Sequence, residues 1–199
     1  MVLFGLLASG CSQTGVVLGK PPVDLSLPEG FDVGFNHRSV SRYRSPLSGE
    51  WRNGDNLEQM LIDAIQSAEA EILVAVQELS LPRIAQSLVS ASRQGVDVKV
   101  ILENNYSTPW SQQHELDLSR QGRQRLQRLK ALADQDQNGV VTPEEERKSD
   151  ALLILQNGQI AWIDDTEDGS KGSGLMHHKF VVIDGERVIT GSANFTNSG

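Results

Sequence analysis

A chain of 199 residues in which 38% are hydrophobic and 22% charged has room for one domain with a sizeable core, and that balance excludes an intrinsically disordered protein. Its formal charge of -8 weighs against a general nucleic-acid binder, because phosphate affinity is carried mainly by Lys and Arg, although a local basic patch can override the net value. A single cysteine, Cys11, excludes an intrachain disulfide.

The chain opens on an apolar run, Val2 to Ala8, far too short to span a membrane. Small residues Ser9 and Gly10 lead directly into Cys11. Residues 1–11 thus resemble a bacterial lipoprotein signal, which implies lipidation of Cys11 and a protein in the cell envelope or secreted. No Lys or Arg precedes the run, and Ala8 stands where Leu is usual; an ordinary apolar tail on a cytoplasmic protein is the alternative. Residues 12–50 are rich in Gly, Pro and Ser without periodicity and read as a tether and irregular lead-in, with His37 a surface residue.

A folded domain is expected over 51–199. Asp55 and Glu58 form a plausible capping pair, and Leu57, Met60, Leu61, Ala64, Ile65 and Ala68 recur at helical spacing. Glu71 to Val76 is a short apolar run that suits a strand covered on both faces. Pro82 opens a second helix with Ile84, Ala85, Leu88 and Ala91 as its stripe, Gly95 ends it, and Val96, Val98, Val100 and Leu102 alternate as the next strand. Strand, helix, strand with short joints predicts a parallel pair and an α/β fold, a mixed or parallel sheet flanked by helices. The C-terminal ends of both strands, Gln77-Glu78 and Glu103-Asn104, are delivered to one rim, where ligands bind in open α/β sheets.

Residues 118–156 read as a helical insert. Its first helix, Leu118 to Ala133, carries Leu126, Leu129 and Leu132 on one side and Arg120, Arg123, Arg125, Arg128 and Lys130 elsewhere; it is either a solvated face or a phosphate-attracting rim. The loop 134–145 follows. Asp134, Asp136 and Asn138 at positions one, three and five, Gly139 at six and Glu145 at twelve supply the oxygen shell and sharp turn that Ca²⁺ requires, with the Val140 carbonyl and Thr142 as further ligands. This resembles an EF-hand loop. The competing reading is a turn in which Thr142 caps the following helix. That helix is expected to reach Gln156, with Asn157-Gly158 stopping it and Gln159 to Ile163 forming a strand. The polar, Gly-rich Asp164 to Gly174 contains neither GxGxxG nor a phosphate-loop pattern, and reads as a lip over a site or a solvated connection.

The run Met176 to Asn194 reads as a hairpin turning at Asp184-Gly185, with His177 and Lys179 on one face, His178 on the other, and Gly191 to Asn194 as a tight exit into a helix. Its spacing is HxK, four residues, D, six residues, GSxN, filled by His177, Lys179, Asp184, Gly191, Ser192 and Asn194. The string resembles the HKD motif of the phospholipase D superfamily, and about Trp51 to Glu103 and Ala151 to Asn197 resemble the halves of such a domain.

The resemblance implies a phosphodiesterase that works through a phosphohistidine without a catalytic metal: His177 nucleophile or acid, Lys179 and Asn194 on phosphate, Ser192 supporting, Asp184 structural or orienting. Glu78 is a candidate partner for the catalytic His. Ca²⁺ enters only at the EF-hand-like loop. Two imidazoles are needed, and neither His37 nor His114 is followed two residues later by Lys. The second half is therefore expected from a homodimer partner or from sequence beyond Gly199, where the family continues with a helix and a strand. The acidic charge and the lipid signal favour phospholipid as substrate. The basic helix favours the alternative, a dimeric nuclease of the same superfamily, and a non-catalytic calcium-responsive phosphate-binding module is the reading from another class.

Overall fold

The computed structural model describes residues 27–169 and 174–198. The reading of Cys11 as a lipidation site lies outside them, as does the centre of the Gly-rich loop. Two compact units are present, Met1–Val33 and Gly34–Gly199. The described part of the first, residues 27–33, carries one turn. No described helix is long and apolar enough to cross a membrane.

The second unit begins at Gly34, earlier than the boundary at residue 51 expected from composition, and one carboxylate explains why. Asp55 accepts from the Phe35 amide at 3.0 Å, from Arg38 Nη2 at 2.7 Å and from the Ser41 hydroxyl at 2.8 Å. Its own amide donates to the Phe35 carbonyl at 2.8 Å. The Phe35 amide bond, with help from Ser41 and Arg38, holds the Asp55 carboxyl below its ordinary value. Gly54 lies under this crossing at φ +104°, and a Cβ there would stand 2.4 Å from the Asn36 carbonyl carbon. The lead-in also contributes a hairpin, β1 (Arg42–Arg44) against β2 (Trp51–Asn53). Asp55 is thus committed to the lead-in, and Asn56 is the residue that caps α1 (Leu57–Gln66), accepting from the Gln59 amide at 3.1 Å.

The expected unit follows: β3 (Glu71–Val76), α2 (Pro82–Arg93) and β4 (Asp97–Leu102), the strands parallel and in register from Glu71 with Asp97 to Val76 with Leu102. Adding β5 (Trp162–Asp164), β6 (Lys179–Ile183) and β7 (Arg187–Thr190) gives a five-stranded mixed sheet of order β5-β4-β3-β6-β7. The β5 and β4 strands run parallel to β3, whereas β6 is antiparallel to β3 and β7 antiparallel to β6. Ile72, Val74, Val76, Val100, Leu102, Val181 and Ile183 bury one face with Ile65, Ile84, Leu88, Leu152 and Leu155 from the helices. Alternation sends Leu73, Ile101, Ile163, Phe180 and Val188 to the other face, where Ile101, Ile163 and Val188 are exposed.

Between β4 and β5 the basic stretch forms α3 (Arg120–Ala133), whose Leu126 and Ala133 bury against Trp110 in a second small core. The expected single helix to Gln156 is two, α4 (Pro143–Ser149) and α5 (Ala151–Asn157), broken at Asp150. The Asp150 backbone is extended, and its buried carboxylate accepts from the Leu152 and Leu153 amides of α5 and from the Ser111 amide and hydroxyl. Ala151, Leu152 and Leu155 belong to the main core, so α5 is part of the domain rather than of an insert.

Candidate active site

Register aims Lys179 inward. It is the first residue of β6, opposite Val76 at the end of β3, and shares its face with core residues Val181 and Ile183. Only 5% of it is exposed. Its Nζ donates to Gln77 Oε1 at 3.1 Å and to the His177 carbonyl at 2.9 Å. Burial pushes the ammonium pKa below its ordinary value. A buried cation with neutral partners is a costly arrangement unless an anion arrives to complete it.

His177 is exposed and precedes β6 by two residues, rather than lying within the strand as expected. The ladder is nonetheless carried one step past β6, because the Gln77 amide donates to the His178 carbonyl at 2.9 Å. The His178 ring meets Phe180 edge to face at 5.6 Å between centroids, on the side opposite Lys179. His178 thus shares the side of Phe180, as alternation leads one to expect for it.

Asn194 reaches the same point from the far side of β7. Gly191 to Asn194 do not lead into a helix among the described residues. Instead Phe195 bridges to Leu79, its amide donating to the Glu78 carbonyl and its carbonyl accepting from the Ser80 and Leu81 amides. Pinned in this way, Asn194 donates from Nδ2 to Gln77 Oε1 at 3.3 Å. Its own Oδ1 is buried without a partner. Ser192, Ala193, Asn194, Thr196 and Ser198, with Asn36 from the lead-in, line a cleft of about 310 Å³. Its lining is neutral: hydroxyls, amides and one methyl.

Two other residues singled out from the sequence lie away from this centre. Asp184, at φ 54° beside Gly185 at 69°, makes the hairpin turn that closes β6 onto β7. Its carboxylate accepts from the amides of Glu69, Ala70 and Glu71 at 2.8–3.0 Å, bonds that hold its pKa below the ordinary value. Glu78 gives its carboxylate to Arg125 Nε at 2.7 Å, while the Arg125 guanidinium covers the Tyr106 ring at 5.1 Å. Among the described residues its charged partner is thus an arginine of α3, not His177. The rim residue that does enter the site is Gln77, neighbour of Glu78. Its signal in the sequence is its position as the first polar residue after the apolar strand; charge drew attention to Glu78 instead.

In the loop between α3 and α4, one carboxylate oxygen each of Asp134, Asp136 and Glu145 lie within 4.8 Å of one another. The Asp134 carboxylate accepts from the Asn138 and Gly139 amides, and Asn138 Oδ1 from the Val140 amide. Thr142 and Glu145 form a reciprocal capping box at the start of α4, as in the competing reading of this loop. Both features coexist, but Glu145 Oε2 is occupied by Thr142 and Oε1 by the Gln135 amide.

A family model described as cardiolipin synthase, PLD-like domain, matches residues 61–199. No curated protein matches the chain. Among solved structures it is similar to the phospholipase D family member Nuc from Salmonella typhimurium, at 23% identity and TM-score 0.44, over 71% of this chain and 66% of that one. It is similar also to NucT from Helicobacter pylori, at 16% identity and TM-score 0.38, over 71% of this chain and 68% of that one. The chain thus spans just under two thirds of the length of Nuc.

Proposed function

We propose, from the premise that this chain belongs to the PLD-like domain family, that it is a phosphodiester hydrolase acting on a nucleic-acid backbone, with its active site completed by a second copy. The observation that carries the substrate is the Arg125–Glu78 ion pair. It docks α3 at the rim, one residue from Gln77, and α3 carries Arg120, Arg123 and Arg128 as exposed cations. A phospholipid presents one phosphodiester; a polynucleotide presents many, and several exposed cations on a helix docked at the rim suit a repeated anion. This ranks nucleic acid above the phospholipid favoured by net charge and the lipid signal, because field is local and net charge is not.

The chemistry follows from the resemblance to the HKD motif. A ring nitrogen of His177 attacks phosphorus, forming an N–P bond as the P–O bond to the leaving alcohol breaks. The leaving oxygen takes a proton from the imidazolium of the partner's His177. That imidazole, now neutral, takes a proton from water as the water oxygen attacks phosphorus and the N–P bond breaks, releasing a phosphomonoester. Lys179 and the second Nδ2 hydrogen of Asn194 offset charge on the non-bridging oxygens. Ca²⁺ at the loop 134–145 is a separate proposal, supported by the convergence of Asp134, Asp136 and Glu145 and by the loop spacing. Its role there is to clamp α3 to α4, not to take part in the reaction.

The test is hydrolysis of single-stranded DNA and of phosphatidylcholine vesicles by the same preparation, with His177→Ala as control. DNA cleavage that is lost in the variant and weakened in Arg120→Gln/Arg123→Gln/Arg128→Gln is the expected result. Cleavage of vesicles alone would overturn the substrate assignment, and a rate unchanged by His177→Ala would overturn the mechanism.

A further inference from the structure

We propose that Gln77 is a positioning residue of the active site: its single carbonyl oxygen holds Lys179 Nζ and Asn194 Nδ2 together, setting two phosphate-binding groups in place before substrate arrives. The inference rests on the reading of Lys179 and Asn194 as phosphate ligands and extends it to a residue outside the HKD string.

The orientation of both amides follows from chemistry. An ammonium group donates only, so the atom of Gln77 that meets Lys179 Nζ at 3.1 Å must be its oxygen. The atom of Asn194 that meets that oxygen at 3.3 Å must then be nitrogen. Rotating either amide by 180° sets oxygen against oxygen or nitrogen against ammonium. Lys179 thereby dictates, through Gln77, which way Asn194 points, and leaves its buried Oδ1 as a free acceptor. Gln77 is itself fixed, being 6% exposed with its amide bonded to the His178 carbonyl.

Among the described residues, nothing else on the neighbouring elements duplicates the role. No ion pair among the described residues involves Lys179. Glu78, beyond β3, is committed to Arg125, and Glu103, at the end of β4, to Asn105. Among the described residues His177 gives the lysine its carbonyl, and β7 presents Thr190 next to the site with Arg187 at its far end, bonded to Ser67. The lysine is therefore held by two neutral oxygens, and its full charge is available to phosphate. A carboxylate at position 77 would hold it as firmly and cancel that charge.

The full chain carrying Gln77→Met or Gln77→Glu is compared with wild type by inorganic-phosphate titration in a calorimeter and by the pH profile of bis(p-nitrophenyl) phosphate hydrolysis. Both variants should bind phosphate about tenfold to a hundredfold more weakly, the scale of one hydrogen bond to a charged group. The alkaline limb should move to lower pH in Gln77→Met, which strips a partner from the ammonium, and to higher pH in Gln77→Glu, which adds an opposite charge. A role confined to folding moves neither limb, and opposite displacements are the signature of action through Lys179. Phosphate affinities within about twofold of wild type in both variants, limbs displaced in the same direction, or a wild-type chain that binds no phosphate, would each overturn the proposal. Wild type that binds phosphate but hydrolyses no diester would end the proposed function and leave the assignment of Gln77 to stand on the binding data.

Discussion

Lys179 and Asp184 stand at opposite ends of one strand, and each is tied to the opposite end of its neighbour. Lys179 opens β6 beside the end of β3 and bonds Gln77; Asp184 closes β6 beside the start of β3 and bonds the amides of Glu69, Ala70 and Glu71. The four residues between them span the strand, roughly 17 Å for five steps of extended chain. The spacing from K to D in the motif is therefore a measure of strand length. It sets the register of β6 on β3, and that register turns Lys179 rather than His178 toward the core.

Lys179→Met should separate activity from stability. Removing the charge proposed to bind phosphate is expected to lower turnover by at least about 10²-fold. Unfolding free energy should stay level or rise by up to about 2 kcal/mol, since a buried cation is exchanged for an apolar side chain of similar length. The same logic fixes the pH dependence of wild type. The lowered pKa of Lys179 means the native state binds fewer protons than the unfolded state as pH rises toward the ordinary lysine value, so stability gains there while activity is lost. Denaturant melts of both proteins across that range, beside turnover, are the check; a variant both inactive and strongly destabilised would contradict this account of the lysine.

Asp184→Asn should damage the fold more than the chemistry. The new Nδ2 must face an amide donor of Glu69 or of Ala70 and Glu71, so at least one bond becomes a donor-donor contact. A lower melting temperature is expected, with turnover of the folded fraction within about twofold of wild type. In wild type the lowered pKa gives the opposite sign to Lys179: the contribution of Asp184 is present above the ordinary aspartate value and is lost as pH falls through the lowered one. Thermal melts between neutral and acid pH should show a wild-type advantage that shrinks as acid is added.

Gly54→Ala tests whether the lead-in is part of the same folded domain. The new Cβ meets Asn36 backbone atoms at 2.4 and 2.5 Å, and φ of +104° is strained for alanine. A loss of about 2–4 kcal/mol is expected, and the Asn36 wall of the cleft should shift with it. Hydrogen exchange of residues 34–41 provides the readout; protection equal to wild type would show that the crossing is looser than described.

Calcium should bind the loop 134–145 weakly. Glu145 must leave Thr142 and Gln135 to take the twelfth-position role, so binding forfeits a capping box. Affinity on the order of 10⁻⁴–10⁻³ M is expected, at the weak end for such loops. Glu145→Gln should abolish the calorimetric signal; heat retained in that variant, or none at millimolar calcium in wild type, would rule out the site.

Much of the molecule is legible from the sequence because the signals are local. The apolar run at Glu71 to Val76 and the stripe of α2 predict a parallel pair that the register confirms, and the HKD spacing marks the hairpin because turn chemistry and strand period are properties of neighbouring residues. Asp150 is less legible. As both the end of α4 and the cap of α5 it depends on Ser111, far away in sequence, to satisfy a buried carboxylate.

What only the tertiary structure decides is which partner each polar group takes, because that depends on segments far apart in the chain meeting at one point. Asp55 looks like a helix cap and is instead the anchor for Phe35, Arg38 and Ser41. Glu78 looks like a partner for histidine and is held by Arg125. Gln77 carries neither charge nor motif, yet joins Lys179 to Asn194 across 102 and 117 residues of sequence. The sequence by itself determines that a hairpin carrying the HKD string is present and where its turn lies. The fold determines that neutral oxygens, rather than a carboxylate, hold its lysine and leave that charge uncancelled.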